Sequence, residues 1–281
     1  MSLRLQATLF LLIAAAPLGA QQWRTVDVSR QLRDSSAHEV RIRYGAGSLT
    51  VRPADEPVLF AMQLRYDEDA VTPVHRYDAA SRTVTLGLGD GSVRLGRSLG
   101  KDSHGELRVA LTPAAPLSLD IELGAAEARL DLGGLSLREL RIETGASDSR
   151  VTFDRPNLVP MQRLAVSSGA ASLQLTGVSN AKARLLHVKS GVGNVDVRFD
   201  GPLTSSMAIE AEMALGRVAV TVPRDAGVRV ELSRFLAGFD HFGLEKRGDA
   251  WYSPNWDEAT HRIDMKVRTV FGSVTIRRGE R

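Results

Sequence analysis

The sequence predicts an all-β protein, a β-solenoid whose coils of about 22 residues each contain a strand, a small-residue corner and a second strand. Apolar residues alternate with polar ones on both sides of seven such corners, and this is the period of a half-buried strand. The five corners between residues 124 and 214 follow one another at intervals of 21, 24, 22 and 23 residues. Such regular spacing is typical of stacked structural repeats.

Each corner opens on a small residue or has a glycine close behind it. Glycine tolerates a positive φ and close backbone approach, which a bulky side chain resists. Ala214 and Val270 each have a glycine two residues later. The seven openers are Gly45, Gly124, Gly145, Gly169, Gly191, Ala214 and Val270.

Three columns of apolar residues flank these openers, and we expect them to form continuous ladders in one core. Five residues before the openers stand Val40, Leu119, Leu140, Leu164, Leu186, Ile209 and Met265. Three residues before them stand Ile42, Ile121, Ile142, Val166, Val188, Ala211 and Val267. Six residues after them stand Val51, Leu130, Val151, Leu175, Val197, Val220 and Ile276. An antiparallel β-sandwich is the alternative architecture.

The chain divides into three predicted regions. Residues 1–20 have the pattern of a signal peptide, with Arg4, an apolar run and a small-residue cleavage site that ends at Ala20. Residues 21–115 are expected to form an N-terminal β region that continues into the solenoid of residues 116–281. That solenoid carries an aromatic-rich insertion at 233–262. The sequence contains no cysteine, so disulfides are excluded and stability must come from packing.

Composition limits the possible partners. Hydrophobic residues make up 43% of the chain, which is enough for a large core. The formal net charge of +3 is too small to indicate a nucleic-acid partner. No apolar stretch after the signal region is long enough to predict a transmembrane helix.

The glycine-punctuated repeats and the C-terminal region resemble the putative-adhesin and toast-rack domains of bacterial envelope proteins. The C-terminal resemblance rests on the runs 243–246, 251–255, 263–267 and 271–276. These families include domains of unknown function and the extramembrane parts of cell-wall-active antibiotic response regulators. The resemblance implies a β-repeat fold and supplies no catalytic residue. In those regulators transmembrane helices precede the β domain, whereas this chain is expected to begin with a cleavable signal.

Sequence motifs give no support for an enzyme. Residues 96–100 match the G-x-S-x-G nucleophile elbow around Ser98, but no helical period follows, as that motif requires. The histidines lack metal-ligand spacing, and Gly87, Gly89 and Gly91 do not complete a phosphate-binding motif. We therefore expect no catalytic, cofactor-binding or metal-binding residues.

The strongest candidate for a binding site is the aromatic-rich segment. The outward residues two before and three after the openers have neither one charge sign nor stacked aromatics, which is typical of solvated faces. Phe235, Phe239 and Phe242 are spaced near one helical turn and predict a short helix near Ser233–Asp240 that caps the solenoid. Trp251, Tyr252 and Trp256 lie among polar turn residues and predict a partner-binding surface.

The sequence thus predicts an exported, non-catalytic envelope protein with a binding or scaffolding role. We expect it in the periplasm or at the cell surface, with an envelope protein or a glycan as its partner. Two alternatives are an envelope-stress sensing module and a polysaccharide-active β-helix enzyme. The latter would need a carboxylate or basic cluster on one face.

Overall fold

Fifteen β-strands form one continuous sheet in the computed structural model, which describes residues 22–89 and 105–279. The all-β prediction is confirmed. One four-residue helix, α1 (Val178–Ala181), was not predicted. The strands are β1 (Trp23–Gln31), β2 (His38–Pro53), β3 (Val58–Asp67), β4 (Pro73–Asp78), β5 (Thr83–Leu88), β6 (Glu106–Leu111), β7 (Leu117–Asp131), β8 (Leu137–Thr152), β9 (Met161–Thr176), β10 (Ala183–Arg198), β11 (Met207–Val222), β12 (Gly227–His241), β13 (Glu245–Arg247), β14 (Ala250–Tyr252) and β15 (Arg262–Arg278).

Eight long strands stack in parallel in the order β2-β7-β8-β9-β10-β11-β15-β12. Each carries a corner near its middle, so each supplies both arms of one coil. Parallel pairing of successive repeats confirms the solenoid over the antiparallel sandwich, because parallel neighbours need a return connection in every repeat. Strand β15, the last in the chain, inserts between β11 and β12.

The three predicted columns are confirmed as core ladders. Every member is buried, and Leu164, Leu186 and Met265 are fully inaccessible to solvent. Strand register places equivalent residues side by side, as with Leu164 and Leu186. The residue four after each corner adds a fourth inward column, which includes Leu49, Leu173 and Val218. Alternation with period two thus continues on both arms around each corner.

Strand β12 corrects the interpretation of the aromatic segment. The helix predicted near Ser233–Asp240 is wrong, because this stretch pairs with β15 as an eighth bent strand. Its corner residue is Phe235, which lies level with Val270 of β15. Pairing along the whole strand decides the local conformation, since intrinsic propensity is easily overridden by tertiary context. Phe235 and Phe242 are exposed, so the predicted three-phenylalanine cap is also wrong.

Short strands cover the β2 end of the stack and part of the β12 end. On the N-terminal side, β5 pairs with the first arm of β2 and β6 pairs with its second arm. These two short strands take the place of one bent strand. On the other side, β14 pairs antiparallel with β12 over Arg229–Glu231 only. The rest of β12 has β15 as its single strand neighbour among the described residues.

Neighbouring coils come into close backbone contact at the corners, and the residue that makes this contact differs from strand to strand. A Cβ atom on Gly169 would lie 2.8 Å from the Gly145 carbonyl oxygen of the preceding coil. In β11 the tight contact lies two residues later, where a Cβ on Gly216 would lie 1.8 Å from the Gly193 carbonyl oxygen. Gly216 also has a φ of 141°, which disfavours other residues. The corner position itself is thereby free to carry a side chain, such as that of Ala214.

We expect Gly216→Ala to lower the free energy of unfolding by about 2–4 kcal/mol, because it combines a backbone clash with a strained φ. Gly45→Ala is the matched control, since a Cβ atom on Gly45 would have no neighbour within 4 Å and the φ of Gly45 is not positive. That control should stay within about ±0.5 kcal/mol of the parent. Chemical denaturation measures both, and equal stabilities would contradict the proposed corner contact.

Candidate binding surface at the corners

The outer corners of the eight bent strands line up as one ridge, here called the corner ridge. It consists of the corner residue and the residue after it in each strand, and strand register places these side by side. In stack order the corner residues are Gly45, Gly124, Gly145, Gly169, Gly191, Ala214, Val270 and Phe235. The following residues are Ala46, Ala125, Ala146, Ala170, Val192, Leu215, Phe271 and Leu236.

Side-chain size increases along the corner ridge. The half formed by β2, β7, β8 and β9 carries only glycine and alanine, whereas the half formed by β10, β11, β15 and β12 carries large apolar side chains. These side chains are exposed: 73% for Phe235, 64% for Leu236, 49% for Leu215 and 48% for Val192. The rings of Phe235 and Phe271 meet edge to face with centroids 6.2 Å apart. Contiguous exposed apolar patches of this kind are typical of interaction sites, which makes this half of the ridge a candidate.

A groove of about 1370 Å³ runs beside the corner ridge and reaches from β2 to β12. With strands about 4.8 Å apart, the seven intervals give it a length of about 34 Å. Its floor includes hydroxyl side chains, and Ser168 Oγ donates a hydrogen bond to Ser190 Oγ at 2.9 Å. At the β2 end lies Tyr44, whose buried hydroxyl has no hydrogen-bond partner among the described residues. Burial raises the pKa of this hydroxyl, and the charge of Glu106 adds to the shift.

Charge also divides this surface into two halves. The charges are counted over the residues from two positions before to three positions after each corner. The β2–β9 half has one cation and four anions and a net charge of −3, from Arg43, Glu122, Glu127, Glu143 and Asp148. The β10–β12 half has four cations and one anion and a net charge of +3, from Lys189, Glu212, Arg217, Arg268 and Arg234.

The acidic half is part of an ion-pair network. Arg43 Nε lies 3.3 Å from Glu122 Oε2, and Arg141 pairs with Glu143. Burial raises the pKa of Asp120, and the neighbouring charges of Glu122 and Glu143 act in the same direction. Arginines accompany these carboxylates, so the arrangement is that of a surface charge network on the first arms of the coils.

The three aromatic residues predicted as a binding surface do not share one environment. Trp251 of β14 is half-buried and packs against the core end. Its ring centroid lies 3.9 Å from that of His241 and 5.4 Å from that of Phe239. Because neighbouring residues of a strand point to opposite faces, Tyr252 lies on the other side of β14. The structure therefore separates Trp251 from Tyr252.

Tyr252 and Trp256 form an aromatic pair surrounded by arginines. Their rings meet nearly edge to face at 5.6 Å, and the Arg262 guanidinium lies 5.4 Å from the Trp256 centroid. Arg229 Nε donates to the Tyr252 hydroxyl at 3.1 Å, and Arg229 also pairs with Asp264 at 2.9 Å. The hydrogen bond to Tyr252 raises the pKa of Arg229, and its acidic neighbours add to this effect. Both aromatic rings are half-buried.

Sequence reasoning misses the apolar half of the corner ridge. It places Phe235 and Leu236 in a helix, and it does not give the stack order of β15 and β12. A readable signal does exist, since the openers grow from glycine to alanine to valine along the chain. The size gradient becomes visible once Phe235 is recognised as an eighth corner.

Three further kinds of site were considered: a nucleophile motif, a metal site and a membrane-spanning helix. Residues 90–104, which contain the G-x-S-x-G match, Ser98 and Gly91, lie outside the described residues. Within residues 22–89 and 105–279, no group of three or more His, Asp or Glu side chains is arranged to hold a metal ion. No helix in those ranges is long and apolar enough to cross a bilayer.

Several solved structures of bacterial proteins match this chain in structural comparison. A putative cell adhesion protein from Clostridium sporogenes has 14% identity and a TM-score of 0.48, with 92% of this chain and 100% of that chain covered. A putative adhesin from Bacteroides fragilis has 10% identity, a TM-score of 0.34 and coverage of 92% and 98%. A putative lipid binding protein from Parabacteroides distasonis has 11% identity, a TM-score of 0.35 and coverage of 92% and 97%. Similarities this distant do not support an inference about shared function.

Sequence comparison gives a firmer assignment. No curated protein matches the chain significantly. Residues 19–175 match the family described as the N-terminal domain of toast_rack, DUF2154. This match extends over more than half of the 281 residues and includes the corners of β2, β7, β8 and β9. The chain therefore belongs to the toast-rack N-terminal domain family.

Proposed function

We propose that this protein is an exported, non-catalytic component of the bacterial cell envelope that binds or organises another envelope protein or a glycan. The observation that carries the proposal is the corner ridge with its groove, which together extend over all eight coils. A long, outward and partly apolar surface is suited to an extended partner. The signal-like residues 1–20 favour the periplasm or the cell surface.

Binding fits this surface better than catalysis does. Catalytic carboxylates of glycan-cleaving enzymes act as a pair across one bond, with distinct protonation states. Here several outward carboxylates pair with arginines, as Glu122 does with Arg43 and Glu212 does with Arg268. The exposed phenylalanines instead offer the aromatic contact surface that is enriched at interaction sites.

The binding role is tested by capture from an envelope extract of the source bacterium. We expect the immobilised protein to retain an envelope component and the double variant Phe235→Ser with Phe271→Ser to lose it. Leu158→Ser is the matched control, since Leu158 is an exposed apolar residue away from the ridge. Equal capture by all three proteins would place the binding surface elsewhere.

We also propose that Tyr252 and Trp256 contact a partner, while Trp251 mainly packs against the end of the solenoid. Trp251→Ala should lower the free energy of unfolding by about 2 kcal/mol, because it removes ring contacts with His241 and Phe239. Trp256→Ala should cost less than about 1 kcal/mol and weaken capture instead. Thermal denaturation and capture, measured on both variants, would refute the division if Trp256→Ala proved the more destabilising change.

A non-catalytic role further requires that Ser98 is not a nucleophile. The chain should remain unlabelled by a fluorophosphonate probe, because no helical period follows Ser98 in the sequence. A serine hydrolase of known activity serves as the positive control. Stoichiometric labelling that disappears in Ser98→Ala would show that the protein is an enzyme.

A further inference from the structure

The two halves of the corner ridge are complementary to each other. When the ridge of one copy is laid against that of a second copy in the opposite direction, β2 meets β12, β7 meets β15, β8 meets β11 and β9 meets β10. Small corner residues then face large ones throughout the outer part of the contact. At the corner row Gly45 would face Phe235 and Gly124 would face Val270. In the next row the facing pairs would be Ala46 with Leu236, Ala125 with Phe271, Ala146 with Leu215 and Ala170 with Val192.

Charge matches in the same arrangement. The two halves carry net charges of −3 and +3, so the antiparallel orientation opposes unlike charges. Glu122 of one copy would lie near Arg268 of the other, and Asp148 near Arg217. Glu143 would face Glu212, but Arg141 and Arg268 pair with these two carboxylates within each copy. In a parallel arrangement the large residues and the like charges would instead meet, which disfavours it.

Two-fold symmetry would make this contact a closed dimer that does not extend into a chain of copies. A two-fold axis between the copies, parallel to the local strand direction, reverses the stack and keeps the flanks of the two ridges on the same side. Each small-to-large pair therefore occurs twice, as an isologous dimer interface requires. The rival partner is a membrane surface, but the net negative charge of half the ridge opposes contact with anionic lipid along its length.

We propose that the corner ridge is a self-association surface through which two copies of this chain form an antiparallel dimer. The proposal goes beyond the envelope-binding role assigned to this surface above, because a second copy can occupy the ridge whether or not the ridge also binds another envelope component. A strip about 34 Å long and about 10 Å wide, centred on the ridge, buries about 350 Å² on each copy, and the charged residues two before and three after each corner lie at its rim. This is below the roughly 800 Å² per partner of a standard stable interface, so the dimer should be weak and dependent on concentration.

Sedimentation velocity over a range from micromolar to near-millimolar protein tests the proposal. The parent should shift from monomer to dimer, and Phe235→Ser with Phe271→Ser should remain monomeric. Asp148→Arg and Arg217→Glu should each weaken the dimer about tenfold, since each places like charges opposite one another. Combining Asp148→Arg with Arg217→Glu in one chain should restore the parent dissociation constant. Leu158→Ser, which alters an exposed residue outside the ridge, should leave association unchanged.

Several outcomes would overturn the proposal. These are a monomer at all concentrations, a dimer that survives the phenylalanine changes, and a charge-swapped double variant that is not restored. Phenylalanine-dependent binding of a monomer to phosphatidylglycerol vesicles would identify a membrane surface in place of the second copy. A monomer that still captures an envelope component through the ridge would refute self-association alone. A dimer without such capture would support self-association and refute the wider envelope-binding role.

Discussion

Close backbone contact between the corners of successive coils is the constraint on which the rest of this structure depends. At Gly124 and Gly191 a Cβ atom would lie 2.3 Å and 2.5 Å from the carbonyl oxygen of the preceding corner. Stacked strands can approach in this way only where a side chain is absent. The corner glycines therefore keep the coils in register, and register in turn aligns the apolar columns into one core. Burial of those columns supplies the hydrophobic stabilisation of the fold.

The same constraint bears on the asymmetry of the outer surface. In β7 and β9 the tight contact falls on the corner glycine, where a side chain would clash, and the ridge there carries only glycine and alanine. In β10 both Gly191 and Gly193 make such contacts, and Val192 between them is exposed. Where the tight contact falls two residues later, as at Gly216 and Gly272, the corner residue is free to carry a side chain. The apolar patch around Phe271 thus depends on a backbone change inside the coil. Surface chemistry and corner geometry are linked in this protein, and both change along the stack.

The sequence was sufficient to predict the solenoid, its corners and its three buried columns, because these depend on local period and on repetition. It was insufficient to predict β12 as a bent strand, because the corner of β12 carries Phe235 in place of glycine and its phenylalanines have the spacing of a helix. It could not show that β15 lies between β11 and β12, since that order depends on long-range pairing. The division between Trp251 and Tyr252 is hidden for a similar reason, because the three-residue strand β14 has too short a pattern to be recognised from sequence.

Pulsed electron paramagnetic resonance on spin-labelled monomers tests the stacked ridge most directly, and the absence of native cysteine makes labelling specific. One label at Ala125 would be combined in turn with a second at Val192, Leu215, Phe271 or Leu236, all exposed positions in one row. The label separation should rise by about 4.8 Å per strand, from about 14 Å at Val192 to about 29 Å at Leu236. Phe271 should lie nearer to Ala125 than Leu236 does, although it comes later in the chain. A longer distance to Phe271 than to Leu236, or distances without a steady increase, would contradict the stack.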